Sequence, residues 1–167
     1  MTTAAHIAKH FKDVHFGGNW TAVNLKETLE NVTWEQATTN ILSFNTIATL
    51  VFHTNYFVVA LLDVLKGNPL DAHDKFSFAH PPFESQQDWE NFLAKVFADA
   101  ESCATLIERL PESKLWEDFS NSKYGNYYRN IHGITEHLHY HLGQIVLIKK
   151  MLLENEKPTL PIPDSKA

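Results

Sequence analysis

The chain has 167 residues, of which 44% are hydrophobic and 20% charged, as is typical of one folded domain with a sizeable core. Lys and Arg total 14 against 20 Asp and Glu, so the formal net charge is −6, and a nucleic-acid partner bound mainly through its phosphates is not expected. The single cysteine, Cys103, excludes a disulfide framework and a cysteine-based zinc cluster, and we interpret it as a small core residue. The unusual feature is the presence of ten histidines.

The sequence has neither the pattern of a secretory signal nor that of a membrane span. The N-terminus, Met1 to His6, lacks the basic stretch and apolar run of a secretory signal. A bilayer span needs about 20 predominantly apolar residues, whereas the most apolar region, around Ile41 to Leu65, is interrupted by Asn45, His53, Asn55 and Asp63. We therefore interpret this region as a buried bundle helix and expect a cytoplasmic protein with no membrane partner.

Helix patterns dominate the first half of the chain. A first helix is predicted over Ala4 to Val14, ending at Gly17-Gly18, and a short helical segment over about Ala22 to Asn31. The sequence Thr33-Trp34-Glu35-Gln36 is typical of a capping box. A long helix is therefore predicted to run from this box to Leu65.

The second half continues the helical pattern. Leu70 to Glu84 is rich in aromatic residues and proline, and we expect this loop to lie across the end of the bundle. Ser85 is predicted to cap a third helix that runs to about Leu110, and a last helix is predicted over about Asn126 to Asn155.

No alternation of period two indicates strands, so the predicted fold class is all-α, a helix bundle. Residues 1–155 are expected to form the bundle domain. The proline-containing C-terminal tail, residues 156–167, is expected to be extended or disordered. Bundles commonly build their sites from side chains on facing helices.

The last helix carries the most informative histidines. At about 100° per residue, His137 and His141 stack one turn apart beside the apolar face, whereas His132 and His139 are predicted to face solvent. An inward pair at i and i+4 suits one metal ion, bound about 2.0–2.1 Å from each nitrogen. His53, among apolar residues, is the best candidate for a third ligand, although its helical position alone does not select it.

Simpler interpretations compete with this one. A lone inward histidine is more often a hydrogen-bonded core residue, but each buried unsatisfied polar group costs about 1–3 kcal/mol, and one ion satisfies three imidazoles at once. The similarly spaced pair His6 and His10 is predicted to be a solvated face. No role is assigned to His15, His73 or His80. Gln144, Tyr56 and Tyr140 are candidates for orienting a ligand, although packing or capping is the favoured interpretation of each.

The sequence lacks the motifs of other metal sites and of nucleophilic catalysis. A di-iron bundle needs two Glu-x-x-His motifs, and the one match, Glu136 to His139, has no mate. The signatures of zinc proteases, zinc deaminases, serine hydrolases and phosphate loops are absent.

Four segments together resemble one known family: the last-helix motif His137-x-x-x-His141-x-Gly143-Gln144, the loop Gly17-Gly18-Asn19-Trp20, the helix entry Thr33-Trp34-Glu35-Gln36-Ala37, and the block from Tyr124-Gly125-Asn126 through Lys149-Lys150. On these residues the chain, over about residues 4 to 153, resembles the DinB-like superfamily of metal-binding helical bundles.

The resemblance implies a four-helix bundle with up-down-down-up connectivity and one divalent metal ion, commonly nickel or zinc. Carried over residue by residue, the ligands would be His53, His137 and His141, with water in an open coordination position. The resemblance also implies a homodimer. Some relatives transfer low-molecular-weight thiols, and others are assigned as metal-dependent hydrolases.

Three functions therefore stay open at this point. The first is a metal-dependent enzyme, a thiol transferase or a hydrolase, with a small-molecule or thiol substrate. The second is a non-catalytic metal- or ligand-binding bundle that serves as a stress-response or interaction module. In the third, the metal only stabilises the bundle.

Overall fold

The computed structural model describes residues 1–155, and over this range the chain is all-α, with one isolated bridge between Asp118 and Asn126 in place of any strand. The described residues form six α-helices: α1 (Thr3–Phe16), α2 (Leu25–Leu29), α3 (Trp34–Thr38), α4 (Ile47–Leu65), α5 (Gln86–Glu108) and α6 (Tyr127–Asn155). Short 3-10 turns lie at Asp74–Phe76, Glu112–Trp116 and Ser122–Tyr124. The predicted tail, 156–167, lies outside the described residues.

Side-chain caps define where most of the helices begin. Thr33 accepts a hydrogen bond from the Gln36 backbone while the Gln36 side chain accepts one from the Thr33 backbone, which confirms the predicted capping box. Ser85 accepts from the backbone N–H of Asp88 at 3.2 Å, which confirms the predicted start of α5. Such caps satisfy backbone donors that have no partner within the helix.

The prediction of one long helix from Thr33 to Leu65 is wrong. The structure divides this region into α3 and α4, joined by residues 39–46. Leu42 in this connection has a φ of 51°, which a helix does not allow, and Thr46 caps α4 by accepting from the Thr49 backbone at 3.1 Å. The helix predicted over Ala22 to Asn31 is likewise only the short α2.

The four long helices enclose the core. Helices α1 and α4 each pack against both α5 and α6. One core cluster joins the C-terminal end of α1, the first halves of α4 and α5, and the second half of α6. A second cluster joins the opposite halves of the same helices. Cys103 is fully buried in the second cluster, which confirms its interpretation as a core residue.

Helix α4 is the most apolar element. By length and composition it could cross a membrane, but most of it is buried against the other helices, as is usual for the core helix of a bundle. The aromatic loop that follows it packs along α4 rather than across the end of the bundle. The Tyr56 hydroxyl accepts from the His73 backbone at 2.9 Å, and Thr49 and His80 form a hydrogen bond of 3.1 Å. The loop thus lies beside the middle of α4, where His53 is found.

Candidate metal centre

Three histidines meet between α4 and α6. The Nε2 atom of His137 lies 2.9 Å from Nε2 of His53 and 3.0 Å from Nε2 of His141. One ligand atom from each of the three residues lies within 4.8 Å of the other two. The structure therefore brings together the three histidines that the sequence analysis selected, and the group could hold a metal ion.

The centre sits where the two core clusters meet. His53 lies on α4 between Val51 of the first cluster and Val58 of the second. His53 and His141 are buried, and His137 is half-buried. The centre is thus largely buried, and part of the His137 side chain reaches solvent.

Hydrogen bonds behind two of the rings fix their tautomers. The Ser77 hydroxyl donates to the Asp74 carbonyl at 2.7 Å, so its oxygen accepts from the Nδ1–H of His53 at 2.8 Å. The side-chain carbonyl Oε1 of Gln144 accepts from the Nδ1–H of His141 at 2.7 Å. A neutral imidazole carries one N–H, so Nε2 of His53 and Nε2 of His141 are both unprotonated acceptors.

This arrangement fits a metal ion better than hydrogen bonds alone. Nε2 of His137 can donate one hydrogen, to either His53 or His141, and the Nε2 lone pair of the other ring is then left without a donor. A cation among the three nitrogens satisfies all of them. The two spacings from His137 to its neighbours, 2.9 and 3.0 Å, are close to those of nitrogens bound about 2.0–2.1 Å from one ion. Hydrogen bonds from Nδ1 to an acceptor are the usual support of a metal-binding histidine.

The surroundings of His53 and His137 favour the neutral, ligand form of these two rings. Burial, followed by the neighbouring His141 and His53, lowers the pKa of His137 from 6.5 to about 4. Burial, with the neighbouring His141, also lowers the pKa of His53. Metals bind unprotonated imidazole, so both shifts favour metal binding at neutral pH.

Aromatic side chains wall the centre. Phe78 stacks on the His53 ring with 3.9 Å between ring centroids, and Phe57 contacts the rings of both His53 and His137 edge-on at 5.2 and 5.1 Å. Tyr140, which is exposed, lies edge-on to His141 at 4.8 Å. A ligand reaching the centre would therefore meet apolar ring faces.

The sequence analysis did not identify Ser77 and Asp74, which support the His53 ring through hydrogen bonds, or Phe78, which stacks on that ring. Ser77, Asp74 and Phe78 lie in the loop after α4, and nothing in their local pattern indicates that the loop folds against His53. Gln144 was considered, but as a residue orienting a ligand; in the structure it orients His141 instead. Tyr56 holds the loop by its contact with the His73 backbone.

Other histidines have structural contacts. His15 is buried, and its Nδ1–H donates to the Phe11 carbonyl at 2.9 Å. His80 donates to the Pro81 carbonyl and contacts Thr49. His73 is exposed and lies 3.4 Å from Asp71.

The prediction that His132 and His139 face solvent is only partly right. Both are half-buried, and their ring centroids lie 6.3 and 6.0 Å from that of His10 on α1. The face of α6 opposite the three-histidine centre is therefore also an interhelical surface.

A comparison of the chain with known protein families, with curated proteins and with solved structures finds no match. The resemblance to the DinB-like superfamily therefore rests on the residues of this chain alone and stays a prediction.

Proposed function

We propose that this chain is a DinB-like protein that holds one divalent metal ion, nickel or zinc, through the Nε2 atoms of His53, His137 and His141. The observation that carries the proposal is the convergence of these three atoms, with two of the rings oriented from behind by Ser77 and Gln144. A polar cluster of this kind within a bundle core is costly unless one partner satisfies it.

The same proposal includes a four-helix bundle with up-down-down-up connectivity. The division of the core supports it. The second core cluster contains the first halves of α1 and α6. It also contains the second halves of α4 and α5. Helices α1 and α6 would then run in one direction, and α4 and α5 in the other.

The proposed activity is metal-dependent, and the substrate is a small molecule. When bound, an ion held by three neutral imidazoles keeps its full charge and can polarise a water or a thiol at an open position. Ser77 and Gln144 hold the rings of His53 and His141 in place. Phe78 stacks on the His53 ring, and Phe57 lies edge-on to the rings of His53 and His137, so apolar rings cover part of the centre.

Between the two reactions, we favour thiol transfer over hydrolysis. Hydrolysis needs a group that takes a proton from water on the open side of the centre. The Asp74 carboxylate is connected to the centre through Ser77, which contacts Nδ1 of His53. Nδ1 lies on the far side of the His53 ring from the point where the three Nε2 atoms meet. A thiol, which ionises readily next to a cation, needs less help.

Elemental analysis of tag-free protein tests metal binding. We expect about one divalent ion per chain in the wild type and in a His6→Ala control, whose histidine is exposed on α1. We expect His137→Ala to lose this ion. Protein that holds no tightly bound ion, and takes none up from excess nickel or zinc, would overturn the proposal.

Ligand entry separates an enzyme from a structural metal. Addition of 2-mercaptoethanol to nickel-loaded protein should change the visible absorption spectrum, because sulfur enters the open position. A spectrum that does not respond to the thiol would instead show a closed site whose metal only stabilises the bundle.

A further inference from the structure

A pocket lies next to the three-histidine centre, further along the seam between α4 and α6. On α6, Gln144 and Ile148 follow His141 at rotations of about −60° and −20° around the helix axis, so the three lie on one side of the helix. On α4, Leu50 comes about one turn before His53. Gln144, Ile148 and Leu50 all line the pocket. The pocket therefore continues the seam in which the histidines meet.

The pocket has the size and the lining of a small-molecule site. Its volume is about 390 Å³, and ligand pockets are typically about 300–1,000 Å³. Most of its wall is apolar and comes from Phe44, Leu50, Leu147 and Ile148. Leu50 and Ile148 are buried, whereas Phe44 is 50% and Leu147 56% exposed. A bound apolar molecule would cover the apolar surface that Phe44 and Leu147 present to water.

The polar groups of the pocket are uncharged. They belong to Ser43, Asn45 and Gln144, and none of the described residues that line the pocket carries a charge. Oε1 of Gln144 accepts from His141, but the N–H groups of the same amide have no hydrogen-bond partner within residues 1–155. The lining therefore suits a neutral ligand, and the unpaired amide donor suits a ligand with an acceptor oxygen.

We propose that this pocket binds a neutral, mainly apolar small molecule with a carbonyl group, and that its binding is coupled to the metal centre through Gln144. The ligand accepts from the Gln144 amide while His141 donates to the same side chain. A ligand that orders Gln144 lowers the entropic cost of fixing His141 for a metal ion, and the metal favours the ligand by the same factor. The coupling rests on the proposed metal function, whereas ligand binding does not.

Octan-2-one, a neutral ketone with an apolar chain, is a suitable probe. A titration of full-length, tag-free protein followed by heteronuclear NMR should show one saturable site, with the largest shifts at the backbone amides of Ser43, Phe44 and Leu147. Leu147→Ala should bind the ketone at least about fourfold more weakly, since one methylene group removed from contact is worth roughly that factor. Ketone that does not bind, or that binds equally well to Leu147→Ala and the wild type, would overturn the proposal.

Leu153→Ala is the matched control. Leu153 is also an exposed leucine of α6, but it lies outside the pocket, so this variant should bind octan-2-one as the wild type does. Both leucines are exposed, so neither substitution threatens folding. Equal weakening in the two variants would show that the ketone does not occupy this pocket.

Chelator competition for zinc tests the coupling. Saturating octan-2-one should raise the zinc affinity of the wild type by about fivefold or more, as is typical of coupled sites. A zinc affinity that is unchanged by bound ketone would overturn the coupling. Protein that takes up no zinc would overturn the proposed metal function and the coupling together, and the ketone titration alone would then decide whether the pocket is a binding site.

Discussion

Gln144 is the residue that most directly links the hydrogen bonds of this protein to metal affinity. Its side-chain carbonyl accepts from Nδ1–H of His141 at 2.7 Å and thereby points the Nε2 lone pair toward His53 and His137. Gln144→Ala removes the acceptor and frees the ring. We expect affinity for nickel or zinc to fall about 10–100-fold, measured by competition with a chelator.

Two variants control for this effect. Gln144→Glu keeps an acceptor for the Nδ1–H and should retain most of the affinity. Gln87→Ala removes an exposed glutamine on α5, whose amide donates to Asn91, and should leave the affinity unchanged. Equal affinity in Gln144→Ala and the wild type would show that the hydrogen bond does not position His141.

His15 makes the fold sensitive to acid. Burial lowers its pKa from 6.5 to about 4. Between those pH values the unfolded chain binds more protons than the folded one, so the free energy of unfolding falls as the pH falls. The difference in pKa corresponds to a loss of about 3 kcal/mol in the free energy of unfolding. This loss is complete below pH 4 and absent well above pH 6.5.

Denaturant unfolding of chelated protein from pH 7.5 to pH 4.5 checks this expectation. His15→Gln should lower stability at pH 7.5, because the buried contact to Phe11 is disturbed, yet its stability should fall less with acid than that of the wild type. His6→Gln, an exposed change on the same helix, should keep the wild-type pH slope. Parallel slopes for His15→Gln and the wild type would contradict the assignment.

Individual residues differ in how far their role could be read from the sequence. His137 and His141 were found because their spacing is local and one helix determines it. His53 was chosen for its apolar neighbours, and only tertiary packing shows why it is the third member. Ser77 and Asp74 could not be selected, because a loop position is defined by the surface against which the loop folds.

At the scale of the element, the start of α4 shows the limit of periodicity. Apolar residues recur at helical spacing from Thr33 onward, and this pattern predicted a continuous helix. The chain instead leaves the helix after Thr38 and starts again at Thr46, which caps α4. Hydrophobic periodicity does not report a change of direction between two helices that both contact the core. The caps at Thr33 and Ser85 could be predicted because a cap is a local pattern.

Thr46→Ala tests the cap that begins α4. The Thr46 hydroxyl accepts from the Thr49 backbone at 3.1 Å and contacts the Thr49 hydroxyl at 2.8 Å. Its loss should lower the free energy of unfolding by about 1 kcal/mol, within a typical range of about 0.5–2 kcal/mol, measured by denaturant unfolding.

Thr105→Ala provides the matched control. The Thr105 hydroxyl is exposed within α5 and donates back to the Glu101 carbonyl, so alanine should change the stability by less than about 0.5 kcal/mol. A Thr46→Ala protein as stable as the wild type would show that α4 does not depend on this cap.

At the scale of the whole molecule, the candidate metal centre adjoins the two apolar clusters of the core but belongs to neither. Two apolar clusters occupy the two ends of the bundle, and the three histidines lie where the clusters meet. The all-α class followed from helical periodicity and the absence of alternation. The packing of α1 and α4 against both α5 and α6 could not be predicted, because it depends on the long connection through α2 and α3.

This separation predicts a folded metal-free protein. Removal of the ion with a chelator should leave the helical circular dichroism spectrum and a cooperative thermal transition intact, because both clusters persist. Restoring nickel or zinc at about 1,000 times its dissociation constant should stabilise the fold by about 4 kcal/mol. Complete unfolding on chelation would show that the ion is needed to form the core.

The central claim is that imidazoles from α4 and α6 share one metal ion. Anomalous X-ray diffraction at the nickel or zinc absorption edge, from crystals of metal-loaded tag-free protein, tests it most directly. We predict a strong peak about 2.1 Å from the Nε2 atoms of His53, His137 and His141. An anomalous map with no peak among these three atoms would contradict the account.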